Sequence, residues 1–321
     1  MKIIIYGAGG IGCVIGGHLS RAGYDVVLIG RPGRVNIINE KGLGLVTPSG
    51  VFNNKIPAVT EPKMIDFDKD DLVFFCMKGQ DTESAVNDLK KVVDDIPVFC
   101  FQNGVRNEEI VAGRFKDVYQ VMVRVGAEYL DDEKVLARRD PPGWFIISRY
   151  PKGMDNKMEA AAEILRNAGF FVKTVEDAMP YKWGKLLVNT FNAVDALCSG
   201  DRKQIREVME KVMQESVSIM EKAGIRWVSQ EETANSWPEI TAPLKGQLTS
   251  VPHSSTWQSL ARSQGSVETD FLNGEFVRLA EKTGMKAPLN KKLMELMKQA
   301  AENNDPHGKY TVQELRDLLG C

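Results

Sequence analysis

The stretch "IIIYGAGGIGCVIGGHLSRAGYDVVLIGR", residues 3–31, holds an apolar run, a glycine cluster, a helix-like segment and a second apolar run. The outer runs have strand length and β-branched residues, so the order reads strand, turn, helix, strand. Gly7, Gly9 and Gly12 form G-x-G-x-x-G where the first strand ends and the helix opens. The first glycine makes the tight turn, the second lets a pyrophosphate approach the amides at the helix N-terminus, and the third lets helix and strand pack closely. The stretch therefore predicts a βαβ unit that binds a dinucleotide, the alternative being a purely structural glycine turn.

Working outward, "DLVFFCMK" (71–78) and "PVFCFQNG" (97–104) repeat the pattern of an apolar run closed by a turn. Strands alternating with helical stretches predict a parallel, doubly wound sheet. Residues 42–60 read as an extended hairpin inserted between sheet units, and residues 118–150 and 170–175 add strand-like runs interrupted by "RRDPPGW". From about residue 178 the spacing becomes helical over 180–198, 202–223, 266–283, 288–301 and 311–319. Residues 229–255 hold a short helix and a loop punctuated by prolines. The expected fold is α/β: an N-terminal Rossmann-type doubly wound domain, residues 1–178, followed by an all-α domain, residues 179–321.

Composition narrows the function. A net charge of -2, from 41 basic and 43 acidic residues, gives no electrostatic footprint for nucleic acid or an anionic membrane. No apolar run exceeds strand length and no signal peptide opens the chain, so a cytoplasmic protein is expected. The cysteines Cys13, Cys76, Cys100, Cys198 and Cys321 are odd in number, widely spaced and without C-x-x-C, which supports neither a metal site nor a disulfide framework.

The end of the second strand bears on the choice of dinucleotide. Where an acidic residue would bond a ribose 2'-hydroxyl, the chain has Arg31, with Arg34 close behind. Guanidinium paired with a 2'-phosphate favours NADP(H) over NAD, unless both arginines are solvated loop residues. Lys78 and Asn103 end strands and should emerge at the carboxyl edge of the sheet; an ordinary surface lysine and a turn asparagine are the alternatives.

In "KWGKLLVNTFNAVDAL", residues 182–197, one continuous helix would place Lys185, Asn189 and Asn192 at about 0°, 40° and 340° on the wheel. Trp183, Leu187, Phe191 and Val194 point the other way. The stripe either faces water or aims hydrogen-bonding groups at a ligand. The methionine-bearing segment with Met209, Met213 and Met220 reads as core or as a subunit interface.

G-A-G-G-I-G, Lys78, "QNG" at 102–104, "KWGKLLVN" at 182–189, "HSS" at 253–255 and "ETDFLNG" at 268–274 occur in one order across nearly the whole chain. In that order they resemble the ketopantoate reductases, the NADPH-dependent 2-dehydropantoate 2-reductases of pantothenate biosynthesis. The resemblance implies that Lys185 is the general acid, that Glu268 supports the reacting centre, and that Asn103, Asn189 and Ser255 bind substrate, with Asn192 flanking the lysine. The coenzyme set expected is Gly7, Ala8, Gly9, Gly10, Ile11, Gly12, Arg31, Lys78, Asn103, Ala127 and Glu268. The partner is a small 2-keto acid, with a homodimer through the helical domain an open expectation.

Hydride delivery to a ketone leaves negative charge on oxygen, for which a lysine supplies both a proton and a cation. Departures concern the substrate. Ala193 stands eight residues beyond the lysine, where the family commonly has asparagine, and "RRDPPGWFIIS" replaces a glycine-rich hairpin. Reduction of a different 2-keto acid on the same scaffold is therefore carried as an alternative. So are a histidine mechanism through His253 and a non-catalytic dinucleotide sensor. Glu268 and Asp270 would, as a structural alternative, only cap the helix that follows them.

Overall fold

β1 (Ile3–Tyr6) lies at the centre of a sheet, paired in parallel with β2 (Val26–Ile29) on one side and β6 (Leu72–Phe75) on the other. Burial on both faces is what the unbroken "III" and "LVFF" runs require. The computed structural model describes residues 1–129, 131, 133–240, 254–262 and 267–321. They fall into one unit of residues 1–179 with 231–240, and a second of residues 180–230 with the described residues from 254 onward.

In the first unit, α1 (Gly10–Arg21) joins β1 to β2, and α2 (Pro32–Lys41) follows β2. The expected hairpin is present as β3 (Leu43–Thr47) and β4 (Gly50–Asn54), antiparallel with Leu43 opposite Asn54. β5 (Ala58–Val59) then pairs with β2. After β6, α3 (Thr82–Lys90) leads to β7 (Val98–Cys100), and α4 (Asn107–Ala112) to β8 (Val118–Val125). β9 (Ala127–Tyr129), β10 (Lys134–Ala137), β11 (Gly143–Arg149), α5 (Asn156–Asn167) and β12 (Phe171–Thr174) complete the unit.

The main sheet has the order β12-β11-β8-β7-β6-β1-β2-β5 and is mixed rather than wholly parallel, because β11 runs antiparallel to β8. Period-2 alternation splits its core. Ile3, Ile5, Phe74 and Phe99 enter one apolar cluster, and Ile4, Val73, Phe75 and Val98 enter the other. The strand order reverses between β1 and β6, so the loops after β1, β2, β6 and β7 share the carboxyl edge at the switch point where this architecture takes ligands. A second sheet, β4-β3-β10-β9, packs against α1.

Residues 231–240, which the sequence reading placed in the helical domain, cluster with the first unit, where Glu239 pairs with Lys173 at 3.0 Å. The short helix expected in 229–255 is α9 (Gln230–Ser236). The rest of that loop, His253 included, lies outside the described residues.

The second unit is helical: α6 (Met179–Asn189), α7 (Phe191–Leu197), α8 (Arg202–Lys222), α10 (Ser255–Ala261), α11 (Asn273–Thr283), α12 (Pro288–Glu302) and α13 (Val312–Leu319), with one two-residue ladder between Cys198–Ser199 and Tyr310–Thr311. Its core gathers Val194, Leu197, Val212, Leu293, Met297 and Leu315. The helix expected over 180–198 is two helices, divided at Thr190. That residue is fully buried; its amide donates to the Leu186 carbonyl at 3.1 Å and its hydroxyl to the Leu187 carbonyl at 2.6 Å. Lys185 and Asn189 lie on α6 and Asn192 on α7. No helix among the described residues is long and apolar enough to cross a membrane.

Candidate active site

The glycine loop is held by its own backbone. The amides of Gly7 and Ala8 both donate to the Ile29 carbonyl at the end of β2, at 2.9 Å. Gly7 has φ +119°, and a Cβ there would strike the backbone at Met77; a Cβ on Gly12 would overlap the Gly7 carbonyl oxygen. A Cβ on Gly9, in contrast, would meet nothing within 4 Å. Gly7 and Gly12 are thus fixed by packing, whereas Gly9 lines open space beside the first turn of α1. No side chain caps that turn and no acidic residue lies in it. Open space before uncapped helix amides fits a dinucleotide pyrophosphate.

The loop's other wall comes from β9, where Ala127 lies 3.4 Å from the Cβ position of Gly10. Two residues on, the Tyr129 hydroxyl donates to the Ala8 carbonyl at 2.6 Å, and the Arg34 guanidinium lies 4.5 Å from the centre of the Tyr129 ring. Arg34 is therefore packed inward rather than being a solvated loop residue. The sequence reading missed Tyr129, because nothing local marks a tyrosine whose partner is 121 residues away. Beneath the loop, burial pushes the Cys13 and Cys76 thiols up, which keeps both protonated and inert at neutral pH.

Arg31 opens α2 with its side chain 80% exposed and a 3.8 Å ion pair to Asp81. So exposed a pair contributes little, about 0–1 kcal/mol, and leaves the guanidinium able to turn to another anion. Lys78 is half-buried and precedes the 3-10 turn Gly79–Asp81 after β6. Asn103 is half-buried in the turn after β7, ahead of Gly104 at φ +85°. The sequence-predicted coenzyme residues of this unit thus come from loops of one sheet edge, with Ala127 joined to the glycine loop from β9.

In the second unit, Lys185 and Asn189 are half-buried one turn apart on α6, while Trp183, Leu186 and Leu187 are buried. Gly184 lets α6 approach the chain at Val228, whose carbonyl oxygen a Cβ there would overlap, and the Val228 amide donates to the Pro180 carbonyl at 3.0 Å. Asn192 is half-buried on α7, and Ala193 beside it is 2% exposed in the apolar core. Ser255 opens α10 and is exposed; the cap of that helix is Ser254, whose side chain accepts from the Trp257 amide. The Ser254 amide donates to Asp195 at 3.3 Å, tying this turn to α7.

The motif "ETDFLNG" has distinct parts. Half-buried Glu268 precedes the 3-10 turn Thr269–Phe271, and Asp270 pairs with Lys298 at 2.7 Å. Asn273 is 1% exposed and donates to the Thr190 carbonyl at 3.4 Å and to Asn290 at 3.0 Å. Asn290 in turn donates to Glu215 and Ser216, and the Glu215 carboxylate accepts the first free amides of α12. The motif thus ties the turn carrying Glu268 to the junction that follows Asn189.

The two family models that match the chain are Ketopantoate reductase PanE/ApbA, over residues 3–152, and Ketopantoate reductase PanE/ApbA C terminal, over residues 177–301. The chain belongs to the ketopantoate reductase family. As a member of that family it is an oxidoreductase. It is 31% identical to a 2-dehydropantoate 2-reductase of Pyrococcus horikoshii, over 93% of this chain and 97% of that protein. It is 28% identical to one of Archaeoglobus fulgidus, over 92% and 97%. Among solved structures, a PanE/ApbA family ketopantoate reductase from Ralstonia eutropha superposes with a TM-score of 0.78 at 30% identity, covering 95% of this chain and 99% of that one. A ternary complex of D-mandelate dehydrogenase with NADH and anilino(oxo)acetate shares the fold, at a TM-score of 0.78 and 22% identity over 95% and 100%.

Proposed function

We propose that the chain reduces the ketone of 2-dehydropantoate to give pantoate, with NADPH as coenzyme. The observation that carries this reading is the pairing of half-buried Lys185 and Asn189 one turn apart on α6, in a chain whose family match runs through both units. The coenzyme, when bound, supplies the hydride. The glycine-loop amides and the α1 N-terminus hold its pyrophosphate, Ala127 and Lys78 contact it, and Arg31 takes the 2'-phosphate by exchanging its weak pair with Asp81. Asn103, Asn189, Asn192 and Ser255 orient the 2-keto acid. Lys185 stabilises the charge developing on the carbonyl oxygen and delivers the proton, with Glu268 holding the reacting groups in place.

A second reading, reduction of a different 2-keto acid on the same scaffold, is favoured by position 193. Ala193 is buried among apolar side chains, whereas the family commonly offers an asparagine there. Steady-state kinetics with a panel of 2-keto acids, followed by loss of NADPH absorbance, separates the two. The highest kcat/KM for 2-dehydropantoate supports the first reading, a different best substrate the second, and coenzyme binding without turnover overturns both. Arg31→Ala is expected to weaken NADPH far more than NADH; equal losses would remove Arg31 from the phosphate site.

A further inference from the structure

We propose that Thr82 and Asn107 are positioning residues of the coenzyme site, which lock the loop carrying Lys78 to the loop carrying Asn103. The proposal rests on the reading of those two loops as coenzyme-binding.

The contacts form one directional chain. Gln102 Nε2 donates to Thr82 Oγ1 at 2.7 Å, Thr82 Oγ1 donates to Asn107 Oδ1 at 2.8 Å, and Asn107 Nδ2 donates to the Asn103 carbonyl at 2.8 Å. Thr82 and Asn107 are fully buried and Gln102 is 3% exposed, so water does not substitute for any link. Thr82 is the first residue of α3, directly after the turn that follows Lys78, and Asn107 is the first residue of α4, four positions after Asn103. The chain therefore starts and ends on the β7 loop, passes through Thr82 beyond the β6 loop, and closes on the backbone of Asn103 itself.

A threonine at the start of a helix ordinarily bonds its own first-turn amides. Here the hydroxyl is spent on Gln102 and Asn107, and the residue in the capping position, Asp81, makes no side-chain cap. The position needs a group that accepts at one end of the β7 loop and donates at the other, which a hydroxyl does and a methyl does not. Thr82→Val keeps the shape and breaks both links, while Thr82→Ser keeps both.

The test is titration of NADPH fluorescence with wild type, Thr82→Val, Thr82→Ser and Asn107→Ala, each with its thermal midpoint. Thr82→Val is expected to raise the NADPH Kd about tenfold, and Thr82→Ser to stay within about twofold of wild type. Asn107→Ala breaks the chain at its other end and should match the Val variant, and it carries the test if that variant does not fold. Folded Val and Ala variants with wild-type affinity, or a Ser variant as weak as the Val variant, would overturn the proposal. Because no substrate enters this titration, failure of the functional reading has a different signature: wild type binds NADPH but reduces no 2-keto acid. Wild type that binds no NADPH overturns both.

Discussion

The glycine loop of the first unit and the helix junction of the second reach defined geometry by different routes. Gly7, Gly9 and Gly12 sit within six residues, and two backbone amides pin the loop to β2. At the junction, Lys185 and Asn189 ride on a helix followed by Thr190, whose hydroxyl bonds the Leu187 carbonyl and whose own carbonyl accepts from Asn273, 83 residues further along the chain. The first arrangement is covalent geometry and close packing, so its failure is steric. The second is a set of buried hydrogen bonds, so its failure is an unsatisfied polar group. Substitutions should therefore break the two regions with different symptoms.

Among the substitutions that separate the two regions by their packing, the largest effect is expected from Gly12→Ala. Its new Cβ overlaps the Gly7 carbonyl, and the strain, about 1–3 kcal/mol or more, falls on the loop proposed to take the pyrophosphate. NADPH affinity should drop at least about tenfold in fluorescence titration, and wild-type affinity would show that the loop relaxes freely. Asn273→Ala sharpens the contrast. It leaves the Thr190 carbonyl and Asn290 without their donor, at a cost of about 1–3 kcal/mol. The thermal midpoint and kcat should both fall, with the NADPH Kd within about twofold of wild type; a weakened Kd with unchanged kcat would reverse the assignment of the two regions.

A smaller effect comes from half-buried His18 on α1, edge-on to Phe170 at 5.4 Å between ring centres. Burial first, and Arg21 second, lower its pKa to about 4, partly offset by the Ala168 backbone and Asp140. The unfolded chain takes up a proton near pH 6.5 that the folded imidazole refuses until about 4, so stability falls as pH drops through that window. Urea unfolding at pH 7 and pH 5 should show His18→Gln losing about 2 kcal/mol less than wild type over that interval. An equal loss in both proteins would mean that the imidazole does not carry the effect.

What the sequence made legible follows the same division. G-x-G-x-x-G, the strand-end positions of Arg31, Lys78 and Asn103, and the hairpin at 42–60 are read locally, because turn geometry and period-2 burial act over a few residues. The break at Thr190 was hidden, since a helical wheel assumes one continuous helix. Tyr129 beside the glycine loop and Thr82 between two loops were hidden, as was the role of Asn273 within the motif "ETDFLNG", for a common reason: each acts through a partner at least 20 residues away. The antiparallel β11 and the placement of residues 231–240 depend on long-range pairing in the same way.

The central claim is a division of labour in which the first unit binds NADPH and Lys185 of the second supplies the proton. Lys185→Ala tests it most directly when coenzyme affinity and steady-state turnover of 2-dehydropantoate are measured on the same preparation. The account predicts an NADPH Kd within about twofold of wild type and a kcat lower by about 10²–10⁴-fold. An unchanged kcat would contradict it.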